Sequence, residues 1–412
     1  MGKKPVVKIH NKSDKPDNVV RKVNEILMEC EEIERELPGF MRPFFMYLRA
    51  NVLPMTRRAY LQDIRFFCNY LTDSGYSTAT EARGITADEF DKIKARDINT
   101  FIDYCRRYQK IDSDTITIYE NTNKTLARKK SSISVLFKFL FRDEIISKNI
   151  TDGFDPIRVP KPGEREIKSL SDDEVMKMLD IVSTGEGLTK KQEQFWKKTK
   201  LRDKAILILF LTYGLRLSEL QQLNISSFNF QRGEFKIYRK RGKESVMPIN
   251  RSTAIVIDEY VSAERPSGDI VAEEDRDALF LSLQGKRMTE RQIREMVKKY
   301  TGYAMGTSQS GGYSPHKLRA TAATSLIGRG NSIFDVQALL DHENVTTTQL
   351  YAAHKLNTKR ALVSDMEWEL ERKEGERVAS EKPADNENTG EIAKTEETGK
   401  IPKNGKNEDT LG

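Results

Sequence analysis

Histidine is scarce in this chain and unevenly placed. Of the four histidines, His316, His342 and His354 fall within 39 residues of one another. Arg319 follows His316 by three residues, and Tyr351 follows His342 by nine. Positions i and i+3 of a helix share a face, so His316 and Arg319 can address one site. Earlier in the chain, Arg216 lies just past a glycine at a helix break, and Lys240 sits on a strand-turn segment from which a side chain can project. These residue types suit phosphoryl transfer without a metal ion. That reaction needs a nucleophile, a cationic clamp for a phosphorane-like transition state and an acid for the leaving oxygen. A tyrosine oxygen can attack and conserve the bond energy in a phosphotyrosyl ester. Two guanidinium groups hold non-bridging oxygens by paired hydrogen bonds, which a compact ammonium does less well. A lysine or histidine can protonate the leaving 5′ oxygen. No cluster of carboxylates suited to Mg²⁺ stands out, so the arginines would have to supply its charge. Each residue alone says little, since one tyrosine of 14 is usually a packing residue. The set of four types narrows the chemistry.

The elements that must position these groups can be read from periodicity. Residues 17–37 place Val20, Val23, Ile26, Leu27, Cys30, Ile33 and Leu37 at helical spacing, and Pro38-Gly39 stops the helix. This helix could dock on the downstream elements or on a partner chain. Residues 40–155 read as a helical domain. One helix starts near Thr56 with a stripe of Tyr60, Ile64, Phe67 and Leu71; a second covers 97–108; a third covers 124–144 with Ile133, Leu136, Phe137 and Leu140 inward. Arg57, Arg58 and Arg65 on the first, and Arg128, Lys129 and Lys130 on the last, form basic backs suited to a phosphate backbone, or simply a solvated face. Residues 156–168 have linker composition. Ser171 and Glu174 form a capping box ahead of VMKMLDIV. Residues 202–223 are an apolar stretch broken by Gly214. The segment after it alternates, with turns at Arg232-Gly233 and Arg241-Gly242, and predicts two or three short antiparallel strands. A helix capped at Thr289 comes next, and helical segments fill most of 315–371. Residues 373–412 are nearly devoid of apolar side chains and are expected to be disordered.

Charge and composition bound the partners. The total is +7, but residues 373–412 hold seven Lys/Arg against ten Asp/Glu, which leaves +10 on residues 1–372. A basic body suggests a polyanion, most simply nucleic acid. No run of 18 apolar residues suggests a membrane span, and the basic start lacks the apolar stretch of a secretory signal. Cys30, Cys68 and Cys105 show no metal-ligand spacing and fit a reduced cytoplasm.

Four ordered boxes then match a known family. TYGLRLSELQQLNISSF resembles the first arginine box of the tyrosine recombinases (phage integrases), and IYRKRGKESVMPI resembles their β-hairpin. SPHKLRATAATSLI resembles the His-x-x-Arg box, and LLDHENVTTTQLYAAH the final His…Tyr box. TRRAYLQDIRFFCNYL and TLARKKSSISVLFKFL look like the helical core-binding domain, so the resemblance spans roughly 40–370, nearest to the Xer-type and integrative-element branch. It implies a mainly α protein with a small antiparallel β-sheet. The expected layout is an N-terminal helical extension at 1–39, a core-binding domain at 40–155, a linker at 156–168, a mixed α/β catalytic domain at 169–372 and a tail at 373–412. It implies that Arg216 and Arg319 clamp the scissile phosphate and that Lys240 is the general acid. His316 would be the base, His342 would hydrogen-bond the phosphate, and Tyr351 would be the nucleophile. Lys243 joins the expected DNA contacts. No cofactor is implied. The partners implied are two duplexes, a homotetramer and an optional DNA-bending or excision factor. Asp341 departs from the glycine usual before the His342 position. The stretch 183–200 looks long, and the tail has no counterpart. A helix near 357–371, with Leu362, Met366 and Leu370, would dock on a neighbouring protomer or on its own domain. Two other readings share the pattern: a type IB topoisomerase, and a non-catalytic DNA-binding protein of the same fold.

Overall fold

The computed structural model describes residues 15–112, 114–160, 168–239 and 242–341. Their apolar side chains gather into two main cores, one running from Ile26 to Phe154 and one from Leu170 to Leu318.

The first core is helical. It is built from α1 (Asp17–Glu36), α2 (Arg42–Asn51), α3 (Pro54–Asp73), α4 (Ala87–Asp91), α5 (Ala95–Arg106) and α6 (Asn123–Arg142). The stripes read from the sequence are the buried faces. Ile64, Phe67 and Leu71 of α3 meet Ile133, Leu136, Phe137 and Leu140 of α6, all nearly without solvent exposure; Leu61, not in the expected stripe, is buried with them, while Tyr60 is only partly buried. Helix α1 docks here, through Ile26, Cys30, Ile33 and Leu37, against α3. The N-terminal turns of α1 also reach the second unit of packing. Asn18 Nδ2 donates to Gln222 O at 3.0 Å, and Lys22 pairs with Glu290. All three cysteines are free and buried in this core, and burial raises their thiol pKa values, Cys105 to about 12.

The second helix ends earlier than its periodicity predicts. The chain leaves α5 after Arg106 and forms a hairpin, β1 (Arg107–Asp112) and β2 (Thr115–Glu120). A ladder of rings anchors it: Tyr108 stacks on Tyr119 at 5.1 Å and packs against Phe66 at 5.1 Å and Tyr104 at 5.7 Å. On the opposite face Ile111, Ile116 and Ile118 stand exposed.

The second core surrounds one helix. It contains α7 (Asp172–Thr184), α8 (Lys190–Trp196), α9 (Lys200–Tyr213), α10 (Leu217–Gln221), α11 (Arg251–Ala263), α12 (Glu290–Ala304), α13 (Pro315–Gly328) and α14 (Ile333–Leu340). The α9 segment KAILILFLTY is apolar on every side, which suits a helix buried all round. Accordingly α7, α11 and α13 all pack on it. The capping boxes at Ser171, Thr189 and Thr289 start α7, α8 and α12. The long stretch 183–200 therefore contains its own helix. A three-stranded antiparallel sheet, β3 (Phe228–Asn229), β4 (Glu234–Tyr238) and β5 (Glu244–Pro248), flanks the helices. Its turns use Gly233 and Gly242 at positive φ. The mainly α architecture with a small antiparallel sheet is the one the resemblance implies.

An ionic knot fixes α9 to α12. Asp203, 1% exposed, accepts from Arg202 Nε and Nη2 at 3.1 and 2.8 Å and from Tyr300 Oη at 3.0 Å. Lys299 Nζ lies 3.8 Å away, and its pKa is lowered by burial. Removing one member of a buried pair leaves the other charge uncompensated. Asp203→Ala should therefore cost about 3–5 kcal/mol. Urea unfolding followed by circular dichroism would show a lower midpoint with little change in slope.

Candidate active site

Gly214 ends α9 with φ +56°, and a Cβ at that position would lie 2.4 Å from Leu340 Cδ2. Only glycine fits a left-handed residue under such a close approach. The turn it makes points the next residues toward the end of α14. Arg216 then precedes α10, with Glu219 in its first turn. Glu219 is 3% exposed and accepts from both Arg216 N at 2.8 Å and Arg216 Nη1 at 2.6 Å, so it fixes the arginine at both ends.

Three guanidinium groups meet at the last carbonyls of α14. Arg216 Nη2 donates to Asp341 O at 3.1 Å. Arg319, 2% exposed on α13, donates Nη1 to Gly214 O at 2.5 Å and Nη2 to Leu340 O. Arg239 donates Nη1 to Leu340 O at 3.0 Å and Nη2 to Leu339 O at 2.8 Å. The final carbonyls of a helix lack intrahelical donors and carry partial negative charge, which explains the attraction of three cations. The Asp341 carboxylate adds to it, with Oδ1 3.3 Å from Lys243 Nζ and Oδ2 3.9 Å from Arg239 Nε. Burial lowers the pKa of Arg239, which stays a cation at any ordinary pH.

His316 sits in the first turn of α13, one helical turn before Arg319. The residue keeps an exposed side. Protein crowding on its other side, then the charges of Arg319, Lys317, Lys124 and Arg216, lower its pKa below the ordinary histidine value. The imidazole is therefore neutral and able to accept a proton near pH 7.

The sequence-derived site residues divide accordingly. Arg216, His316 and Arg319 are brought into one region. Lys240, His342 and Tyr351 lie outside the described residues, as do the tail and the helix expected near 357–371. Lys243 is exposed and pairs with Asp341. The basic backs of α3 and α6 need correction. Arg57 is 3% exposed and held by Glu34 through Nε at 3.1 Å and Nη2 at 2.6 Å. Lys129 is 9% exposed, with Asp63 3.4 Å away. Both neutralise buried carboxylates rather than forming an open basic face. Arg58 and Arg65 pair with Glu29 and Glu36 of α1, Arg128 pairs with Asp63, and Lys130 donates to Phe154 O and Asp155 O. The acidic side of α1 thus covers much of the charge that looked free in α3.

Glu219 and Arg239 escaped the sequence reading. A signal existed for Arg239, because a period of two puts it on the same strand face as the buried Phe235 and Ile237. Among the described residues, no three His, Cys, Asp or Glu side chains gather as a metal ion would require.

Comparison with known proteins identifies the family and the fold. The phage integrase family model matches residues 168–358. The tyrosine recombinase XerC of Natranaerobius thermophilus is 32% identical over 299 residues, covering 71% of this chain and 90% of that protein. The chain belongs to the tyrosine recombinase family. XerD of Oceanobacillus iheyensis is 30% identical over 329 residues, covering 78% of this recombinase and 95% of that protein. Among solved structures, XerH site-specific recombinase bound to palindromic difH substrate aligns with TM-score 0.54 at 16% identity, over 87% of this chain and 92% of that one. The Tn1549 transposon integrase in complex with transposon right end DNA aligns with TM-score 0.51 at 16% identity, over 82% and 98%. These two support the recombinase fold.

Proposed function

We propose that this tyrosine recombinase cuts and rejoins double-stranded DNA at defined sites, for integration, excision or resolution, with Tyr351 as nucleophile. The observation that carries the reading is the meeting of Arg216 and Arg319 on neighbouring carbonyls, Asp341 O and Leu340 O, directly before the segment that leads to His342 and Tyr351. Groups from distant parts of the chain would then hold two oxygens of one phosphate.

In the proposed step the Tyr351 phenol oxygen bonds to phosphorus and the bond from phosphorus to the 5′ oxygen breaks. The phenol proton passes to neutral His316, and the 5′ oxygen takes a proton from Lys240. Arg216 and Arg319 stabilise the charge that develops on the non-bridging oxygens, and His342 adds a hydrogen bond. The product is a 3′-phosphotyrosyl ester with a free 5′-hydroxyl. Attack by a partner strand's 5′-hydroxyl reverses the step and releases the enzyme, so no external energy source is needed. Residues 40–155 and 169–372 would grip the duplex from two sides. Four protomers would act on two duplexes in the cytoplasm, with or without an accessory DNA-bending or excision factor.

The test is a duplex carrying the native site with a nick just beyond the cleavage point, which lets the freed end diffuse away. A protein band that stays shifted under denaturing conditions, with the phosphodiester mapped to Tyr351 by mass spectrometry, supports the reading. Relaxation of a supercoiled plasmid lacking any such site would favour a topoisomerase instead.

The lowered pKa of His316 gives a pH signature. Its neutral form is the competent one, so cleavage should fall only as pH drops through a midpoint below the ordinary histidine value. His316→Gln should lower the plateau and remove that acid limb. Single-turnover cleavage between pH 5 and pH 8 checks it. A limb that persists unchanged in the variant would assign the proton to another group.

A further inference from the structure

Asp341 carries two constraints at once. Its backbone is left-handed, at φ 50° and ψ 54°, a conformation glycine adopts freely and aspartate tolerates better than most residues. Its carboxylate also lies beside cations that would address a phosphate, where a negative charge opposes the ligand. A glycine would be less strained and less repulsive there, so the side chain must have another use. Its contacts supply one. Lys243 Nζ and Arg239 Nε, at 3.3 and 3.9 Å from the two carboxylate oxygens, belong to the two ends of the β4–β5 turn. That turn is closed by Arg239 N to Lys243 O at 2.8 Å and Gly242 N to Arg239 O at 3.0 Å. Arg239 Nε is buried and has no hydrogen-bond acceptor among the described residues, so carboxylate charge offsets it, first that of Glu219 and then that of Asp341. Lys240 lies inside this turn in sequence, and His342 comes directly after Asp341.

We infer that Asp341 is a positioning residue that anchors the turn carrying Lys240 in the sequence to the end of α14, holding the acid toward the leaving oxygen. The inference rests on the proposed roles of Lys240 and Tyr351. It predicts a defect confined to protonation of the leaving oxygen. A substrate with sulfur in place of the bridging 5′ oxygen reports this directly. The sulfur departs as a thiolate and needs no proton, because a thiol is far more acidic than an alcohol.

The experiment compares single-turnover cleavage of nicked oxygen and sulfur substrates by the full-length protein. Asp341→Asn and Asp341→Gly should slow the oxygen substrate about threefold to tenfold, the range for one partly exposed ion pair acting on alignment. Both should cleave the sulfur substrate at the wild-type rate. The exchange Asp341→Lys with Lys243→Asp should recover part of the loss. Equal slowing on both substrates would mean a merely structural role, and unchanged or faster cleavage would mean that the carboxylate only competes with phosphate. Either result overturns the inference. Lys240→Ala separates the layers of the argument. If sulfur does not rescue it, the acid assignment fails and the inference falls with it. If sulfur rescues Lys240→Ala but not Asp341→Asn, only the inference fails.

Discussion

Tyr351→Phe is expected to form no covalent adduct with a nicked duplex, while binding the same DNA with unchanged affinity. The substitution deletes one oxygen and keeps the ring. Without that oxygen no bond to phosphorus can form, and the arginine clamp cannot substitute for a nucleophile. The loss should reach at least about 10⁴-fold, the scale seen when a nucleophile is removed from an otherwise intact site. DNA affinity comes from many phosphate contacts, so one phenol oxygen contributes little to it. A denaturing gel and a titration by fluorescence anisotropy on the same substrate separate the two effects. An adduct that persists in the variant would transfer the nucleophile to another tyrosine.

Arg319→Lys should lower single-turnover cleavage by about 10²–10³-fold, the usual effect of losing a preorganised donor at a developing oxyanion. The charge remains, but the planar fork does not. Lysine cannot reach Gly214 O and Leu340 O and also address a phosphate, as a guanidinium with five donors can. Arg319→Ala should go further. It leaves the buried Gly214 O without its donor, at a cost of about 1–3 kcal/mol, and takes from Leu340 O one of its two donors, so that Arg239 alone remains there; the junction of Gly214 with α14 is loosened. Thermal unfolding tells the two variants apart: the lysine variant should melt near the wild type, the alanine variant well below it. A lysine variant that cuts at the wild-type rate would remove Arg319 from the clamp.

Much of this arrangement was legible in the sequence for a physical reason. Helical stripes such as Ile64, Phe67 and Leu71 record burial on one side, and capping boxes at Ser171 and Thr289 record helix starts. The Arg216 and His316…Arg319 boxes survive as short motifs because each sits on a local turn or helix start. What did not survive was pairing between distant elements. Arg57 and Lys129 look like surface cations until Glu34 and Asp63 are seen behind them. No periodicity in α3 or α6 encodes a carboxylate on another element. The hairpin at 107–120 was hidden for a different reason. Tyr104 and Tyr108 continue the helical spacing of α5, and only the alternating TITIYE after the turn discloses a strand. The departure at Asp341 proved informative, because the residue takes the left-handed conformation expected of the glycine and uses its side chain as well.

The burial of Cys30, Cys68 and Cys105 has a practical consequence. Thiolates are the reactive species, and these three thiols are both enclosed and hard to ionise. The native protein should therefore be silent toward maleimides and mild oxidants. A single cysteine introduced on an open surface would then be the sole attachment point for a fluorophore, and binding of a duplex could be followed in real time without first stripping the chain of its own sulfur.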